Sequence, residues 1–438
     1  MTTAPIAVLG GGLAGPEAAW QIASRGLDVE LWEMRPHVST PAHQTGAFGE
    51  LVCSNSLKSE TPNSAPWLLK EELRRSGSLL LACAAEAAVA GGQSLTVDRD
   101  LFSGAIERAL TEHPRIRLRR EEALRIPDAQ ITVLATGPLT SAPLARDLAR
   151  VTGREHLHFY DAISPIVEAD SLARDRVYAL SRYGKGGDDY LNCPLDRSEY
   201  QRFYDALIAA ESYPLRAFEE PKFFEACLPL EELARRGPET LRFGPMKPVG
   251  LPDPRTGRVP YAAVQLRREN ARADSYNLVG FQNHLRFAAQ AEVLRLIPGL
   301  EGARFLRFGQ VHRNSYLQAP TVLGPRLELR ARPNVHVAGQ LCGTEGYVEA
   351  IATGYLAGQF AAAQARGVAL PPPPRASALG SLLHYMLQAR PETYAPANIT
   401  FDLLPPLETP EPDRERRRQL QCEGALAAHQ RWLDEATA

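Results

Sequence analysis

The stretch Ile6-Ala7-Val8-Leu9-Gly10-Gly11-Gly12-Leu13-Ala14-Gly15, running on into Pro16-Glu17-Ala18-Ala19-Trp20-Gln21-Ile22-Ala23, decides the fold of this chain. A short apolar run, a G-x-G-x-x-G turn and a helical period, in that order, make the phosphate-gripping unit of a dinucleotide-binding fold. Gly10 admits a backbone geometry closed to other residues, Gly12 lets a pyrophosphate approach the main chain, and Gly15 lets the helix pack closely on the strand. The unpaired amides at the helix start then face the phosphates. A second apolar run, Asp28-Val29-Glu30-Leu31-Trp32-Glu33, ends in an acid about 20 residues after the glycines, where a carboxylate accepts hydrogen bonds from a ribose. Glu33 taken alone is also what a solvated strand end looks like. The whole series of strand, turn, helix, strand and acid is what points to a dinucleotide.

With 438 residues and 44% hydrophobic side chains, the chain is long enough for two or more domains with real cores. No charged segment followed by an apolar core precedes the first strand, and the apolar stretch at residues 79–90 is interrupted by Glu86. It is also shorter than the ~20 residues that span a bilayer. The expectation is a cytoplasmic protein without membrane contact. Six scattered cysteines (Cys53, Cys83, Cys193, Cys227, Cys342, Cys422) form no C-x-x-C pair, which predicts reduced thiols and no metal site. The formal charge of −2 carries no sign of a polyanionic partner. Local arginine clusters at residues 115–120, 267–268, 304–313 and 414–418 stay open between solvated faces and a nucleic-acid surface, because composition does not show how charge gathers in space.

Residues 40–66, rich in Gly, Ser, Thr, Pro and Asn, read as a long functional loop, and helical patterns follow over residues 67–90 and 101–112. Ile131-Thr132-Val133-Leu134-Ala135-Thr136-Gly137 is a buried strand closing on Thr-Gly, a pattern that lies beside the cofactor in two-dinucleotide flavoproteins. From about Asp161 the texture changes to strands, turns and short helices, including a Gly184-Lys185-Gly186-Gly187 turn and a helix over residues 198–210. The strand-then-glycine pattern returns at Val335-His336-Val337-Ala338-Gly339-Gln340. After it, Gly343-Thr344-Glu345-Gly346-Tyr347-Val348-Glu349 opens a further helix whose amides face a flavin or its phosphates. The expected architecture is α/β: a Rossmann-like FAD-binding domain (1–160 and 326–370), an inserted α+β substrate domain (161–325), and a helical C-terminal extension (371–438) beyond the stiff prolines 371–374.

The chain resembles the bacterial folate- and FAD-dependent tRNA (uracil-5-)-methyltransferases over nearly its full length. The resemblance is carried by residues 10–20, Glu33-Met34-Arg35-Pro36, Glu50-Leu51-Val52-Cys53-Ser54-Asn55-Ser56-Leu57-Lys58-Ser59, Arg182-Tyr183, Tyr190-Leu191-Asn192-Cys193-Pro194, and Phe224-Glu225-Ala226-Cys227-Leu228-Pro229. It continues through residues 241–250, residues 277–285, His312-Arg313-Asn314-Ser315-Tyr316 and Glu345-Gly346-Tyr347-Val348-Glu349. It implies transfer of a one-carbon unit from 5,10-methylenetetrahydrofolate to C5 of uridine 54 in the tRNA T loop, with reduced FAD as reductant and NADH or NADPH recharging it. No obligate protein partner is implied. C5 of uracil is a poor nucleophile until a thiolate adds at C6. The resemblance assigns that thiolate to Cys227 and a second catalytic thiol to Cys53, and the apolar neighbours of Cys227 by themselves describe a core residue. It also places His284 on the pterin of folate, where the ring alone is equally a hydrogen-bonded structural histidine. The cofactor set it implies comprises Gly10, Gly11, Gly12, Leu13, Ala14, Gly15, Glu33, Met34, Arg35, Ala135, Thr136, Gly137, Gly339, Gln340, Gly346, Tyr347 and Val348. The chain departs from the pattern at Cys342, where Thr is expected, and at Gln340, where many flavoproteins carry an acid. Competing assignments are the related flavoprotein that modifies the wobble uridine, a plain FAD-dependent oxidoreductase, and a flavin-binding RNA chaperone without turnover.

Overall fold

The computed structural model describes residues 4–128, 130–154, 157–213 and 228–437. Its first strand, β1 (Ile6–Leu9), is buried at every position, as expected of a parallel strand covered on both faces. The helix α1 (Ala14–Ala23) and the strand β2 (Val29–Trp32) follow, with Ile6 paired to Val29 and Leu9 to Trp32. On its other side β1 pairs in parallel with Thr132–Leu134, which pairs in turn with Arg332–Val337. The strand order from Glu328–Leu329 through Arg332–Val337, Thr132–Leu134, β1 and β2 to Ile116–Arg119 is that of a six-stranded Rossmann-like sheet. β1 passes through α1 to β2 on one side, while its neighbour on the other side, Thr132–Leu134, joins from much later in the chain, so the strand order switches beside β1 and the crevice at its carboxyl end is where such sheets bind ligands.

The turn after β1 has the geometry its sequence requires. Gly10 sits at φ 110°, and a Cβ there would run into the Ala135 carbonyl. A Cβ on Gly15 would fall well inside 3.0 Å of the Gly10 carbonyl oxygen, so this glycine closes the helix onto the strand. Gly12 has nothing within 4 Å of its Cβ position: the space there is open. Across α1 lies the helix Tyr347–Arg366, and Cβ atoms on its Gly354 and Gly358 would strike the main chain of Ala14 and Ala18. Four small residues thus let two helices meet backbone to backbone.

A second sheet is antiparallel, in the order Tyr178–Ala179, Tyr190–Leu195, Ala262–Arg268, Ser275–Leu278, Ile166–Glu168, Phe305–Arg307. The helix Arg197–Ala209 packs near it and carries a capping box between Asp196 and Glu199. The apolar residues form two cores, one drawn from both ends of the chain and the other from Val167 to Ala303. The antiparallel pair Leu157–Ile163 and Gln310–Tyr316 carries the chain between them.

Two local expectations change. The helical pattern over 67–90 is two helices, α2 (Ala65–Arg75) and α3 (Leu79–Glu86). Gly77 turns left-handed between them at φ 73°, and the Ser78 hydroxyl caps α3 while Glu17 accepts from Leu80 N at 3.0 Å. The loop at 40–66 contains the strand Ser56–Ser59. The C-terminal extension is no appendage: Leu379, Leu382, Met386 and Trp432 are buried in the first core, and Thr344 bridges to Ala397. No described helix is long and apolar enough to cross a membrane.

Candidate active site

A cavity of about 430 Å³ opens at the carboxyl end of β1. Gly10, Gly11, Gly12, Leu13 and Ala14 form one wall, and Glu33, Met34 and Arg35 continue it from the end of β2. Ala135, Thr136 and Gly137 follow the neighbouring strand, while Gly339, Gln340, Gly346 and Tyr347 close the far side. Two helices point their N-termini into this one space. Neither α1, entered at Leu13, nor Tyr347–Arg366, entered at Gly346, has a side-chain cap. Their first-turn amides and the positive ends of their dipoles are thus offered to an anion rather than consumed by the protein. Gly15 and Val348 back the wall instead of lining it; Val348 is 1% exposed and faces the core.

Glu33 lies at its expected place, but its carboxylate is already engaged. Oε2 accepts from Gly11 N at 2.7 Å and Arg35 Nη2 at 3.2 Å, and Oε1 accepts from Arg35 N and Nε, both at 2.9 Å. Burial alone would raise its pKa, yet the hydrogen bonds and charge of Arg35 hold it below the usual carboxylate value. Arg35 also pairs with Glu50 at 3.0 Å. Acid and arginine are both evident in the sequence, but only the fold shows that they serve each other, locking the phosphate turn to the end of β2. Arg35→Met leaves a buried carboxylate unpaired and is expected to cost about 3–5 kcal/mol at neutral pH. Because the folded pKa of Glu33 is lowered, its contribution is fully present above the unfolded value of about 4.3 and is lost as pH falls through the folded value. Urea titrations at neutral and acid pH should therefore show the deficit shrinking in acid. An equal deficit at both would assign the effect to packing instead of charge.

Cys53 lines the same cavity, half-buried. The Tyr347 hydroxyl accepts from Cys53 N at 2.8 Å and Ser54 N at 3.1 Å, and lies 3.1 Å from Cys53 Sγ. A phenol oxygen whose two lone pairs take amide protons has only its own proton left to direct at the sulfur. Burial, followed by the neighbouring Cys53, raises the pKa of Tyr347 well above 10, so that proton is retained. Around the loop, Arg307 donates to Val52 O at 2.7 Å, Arg99 to Leu51 O, and Arg267 to Ser54 Oγ at 2.7 Å. Lys58 Nζ bonds Glu349 at 3.0 Å and Asn398 at 2.5 Å. Four cations and a phenol hold a segment with little regular structure, and two of the cations are themselves ion-paired, Arg99 with Glu269 and Lys58 with Glu349.

Cys227 lies outside the described residues. His284 is away from the cavity lining, buried at 5% exposure with its ring Nδ1 against Glu231 and its backbone N donating to Glu231 Oε1 at 2.8 Å. Gln340 donates to Glu345 at 2.7 Å, so the acid missing after that strand is supplied five residues later. His43, Lys58, Arg267 and Asn398 also line the cavity and were missed by sequence reasoning. Arg267 and Asn398 come from distant parts of the chain: Arg267 stood in an arginine pair with nothing to tie it to the turn, and Asn398 carries no local signal. His43 and Lys58 stand in the loop already marked as functional. Burial, then the Arg35 charge, lowers the His43 pKa to about 4, keeping this ring neutral beside the phosphate turn at physiological pH.

The "Glucose inhibited division protein A" family model matches residues 5–369. The chain is 57% identical over 433 residues to the Methylenetetrahydrofolate--tRNA-(uracil-5-)-methyltransferase TrmFO of Koribacter versatilis (strain Ellin345), covering 98% of each. It is 58% identical to the protein of the same name from Solibacter usitatus (strain Ellin6076), covering 97% of each. The chain belongs to the TrmFO family. Among solved structures, Aquifex aeolicus GidA (form II crystal) superposes with a TM-score of 0.69 at 15% identity, covering 98% of this chain and 73% of that one. That likeness establishes the fold, and it spans the C-terminal extension that the family model leaves out. Of the arginine clusters noted in the sequence, the one at 115–120 is structural in this TrmFO-family chain: Arg119 bonds Glu30 at 2.7 Å, and Arg120 lies over Phe48 and bonds Gly46 O at 2.6 Å.

Proposed function

We propose that this chain is a folate-dependent tRNA (uracil-5-)-methyltransferase that methylates uridine 54 of the T loop, taking carbon from 5,10-methylenetetrahydrofolate, with FAD held in the cavity and recharged by NADH or NADPH. The observation that carries the proposal is the convergence, on one cavity, of two uncapped helix N-termini and a thiol set beside the Tyr347 hydroxyl in a loop braced by arginines. The residues present suit a dinucleotide. Gly12 leaves room for a pyrophosphate, Gly12, Leu13 and Ala14 line the cavity at an uncapped helix start that would hold it, and the helix entered at Gly346 would supply a second positive end. When bound, the reduced flavin supplies the hydride that turns a methylene into a methyl.

The chain's own residues do the rest. Cys227 adds its sulfur to C6 of uracil, which makes C5 nucleophilic, and the uridine leaves its stack so that the ring face is reached. Cys53 is the second thiol, positioned by the Tyr347 hydroxyl and the loop amides. His284 holds the pterin, which requires the Glu231 pairing to turn the ring toward the ligand. Residues 1–160 and 326–370 form the nucleotide unit, residues 161–325 the substrate unit, and the protein acts in the cytoplasm. The experiment is nucleoside mapping of an unmodified tRNA transcript after incubation with protein, FAD, methylenetetrahydrofolate and NADH. 5-Methyluridine in the T loop, lost when uridine 54 is replaced by cytidine, supports the assignment. Modification of the wobble uridine, or NADH oxidation with no change in the RNA, contradicts it.

A further inference from the structure

The Gly184-Lys185-Gly186-Gly187 turn is not used by the chemistry above, yet it belongs to an unusually fixed surface. Tyr183 is 59% exposed and sits at φ 60°, a left-handed conformation that a bulky residue adopts only when its surroundings impose it. Its amide donates to Gly250 O at 2.8 Å, and its ring lies so close to Gly250 that no Cβ would fit between them. Arg182 reaches under the same loop to Lys247 O at 2.9 Å, to Val249 O and to Gln265 Oε1 at 3.0 Å. The ring is therefore held out to solvent by a braced backbone. The same two loops carry half-exposed Val249, exposed Lys185 and partly buried Lys247, two of only five lysines in the chain. Counted by charge, Arg182, Lys185 and Lys247 stand against Asp188 and Asp189, a net of +1 on a chain of charge −2, and Asp189 is turned to Gly92 N at 2.8 Å.

One strand connects the patch with the active site. Gln265, bonded to Arg182, and Arg267, which lines the cavity, are two residues apart on the strand Ala262–Arg268 and share one face, a spacing of about 7 Å. Single-stranded RNA is recognised by such a combination: a rigid aromatic on which an unpaired base stacks, with cations for the adjacent phosphates. We infer that the loops at 182–187 and 247–250 form an RNA-docking platform, Tyr183 stacking on an unpaired base next to the uridine presented to the cavity and Lys185 and Lys247 meeting its phosphates. The inference rests on the proposed tRNA activity.

The test uses the flavin-loaded protein, a fluorescently labelled unmodified tRNA transcript, and Kd measured over a series of KCl concentrations. Tyr183→Ala should weaken binding by about 5- to 100-fold, and Tyr183→Phe, which keeps the ring, should stay within about twofold of wild type. Because Tyr183→Ala alters a left-handed position, thermal melting must show that it folds; Lys185→Ala/Lys247→Ala, at surface side chains, gives an independent reading. That double variant should flatten the slope of log Kd against log salt by about 1.4–1.8. Wild-type RNA binding in both Tyr183→Ala and the lysine variant, in a protein that methylates tRNA, overturns the platform and leaves the function standing. A raised KM for methylenetetrahydrofolate with unchanged RNA Kd also overturns it, by making the loop a folate contact. If the wild-type protein neither binds nor methylates the transcript, the proposed function fails and the platform fails with it.

Discussion

Gly12→Val should fold as the wild type does and emerge colourless. The position has no atom within 4 Å of the missing Cβ and no left-handed φ, so a valine side chain meets nothing in the protein itself. It would stand where the pyrophosphate must come against the main chain, and the expected loss of FAD affinity is at least about a hundredfold, roughly 2.7 kcal/mol. Gly15→Val is the opposite case. There the side chain collides with the Gly10 carbonyl, so the protein should lose stability before any question of cofactor arises. Flavin absorbance after purification, together with thermal melting, separates the two. A Gly12→Val protein with full flavin occupancy would remove the cofactor from this turn.

Cys53→Ala should keep its flavin and lose methylation by about a thousandfold or more, because the Tyr347 hydroxyl still holds the loop through two backbone amides when the sulfur is gone. Cys227→Ala should lose as much, and should also lose the covalent adduct with a T-arm RNA containing 5-fluorouridine, since that adduct reports the thiol that attacks C6. Denaturing gels of the two variants with labelled RNA, read beside their flavin spectra, check both. An adduct that persists in Cys227→Ala and vanishes in Cys53→Ala would exchange the two roles. Methylation at the wild-type rate in both would end thiol catalysis.

What was legible in the sequence is local and periodic. The Rossmann-like turn could be read because the spacing of its three glycines between an apolar strand and a helical period is itself a local pattern, and the return of the sheet at Val335 because a buried strand followed by glycine is a short pattern. The break at Gly77 was hidden by apolar residues on both sides that keep one helical period. At the site, the Glu33–Arg35 pair shows the limit: the residue types were evident, but which hydrogen bonds saturate a carboxylate depends on side-chain placement. Asn398 and Arg267 reach the cavity from 340 and 209 residues beyond Lys58, and pairing at that separation is set by tertiary packing that no window of sequence contains. His284 illustrates a third case, a residue whose ring is occupied by Glu231 and is away from the cavity lining.

The origin of the methyl carbon tests the central claim most directly. Protein incubated with unmodified tRNA, NADH and methylenetetrahydrofolate labelled in its methylene carbon should place the label in the methyl group of 5-methyluridine. His284→Ala should raise the KM for folate while leaving flavin bound. Label arriving from S-adenosylmethionine instead, with none from folate, would contradict the account.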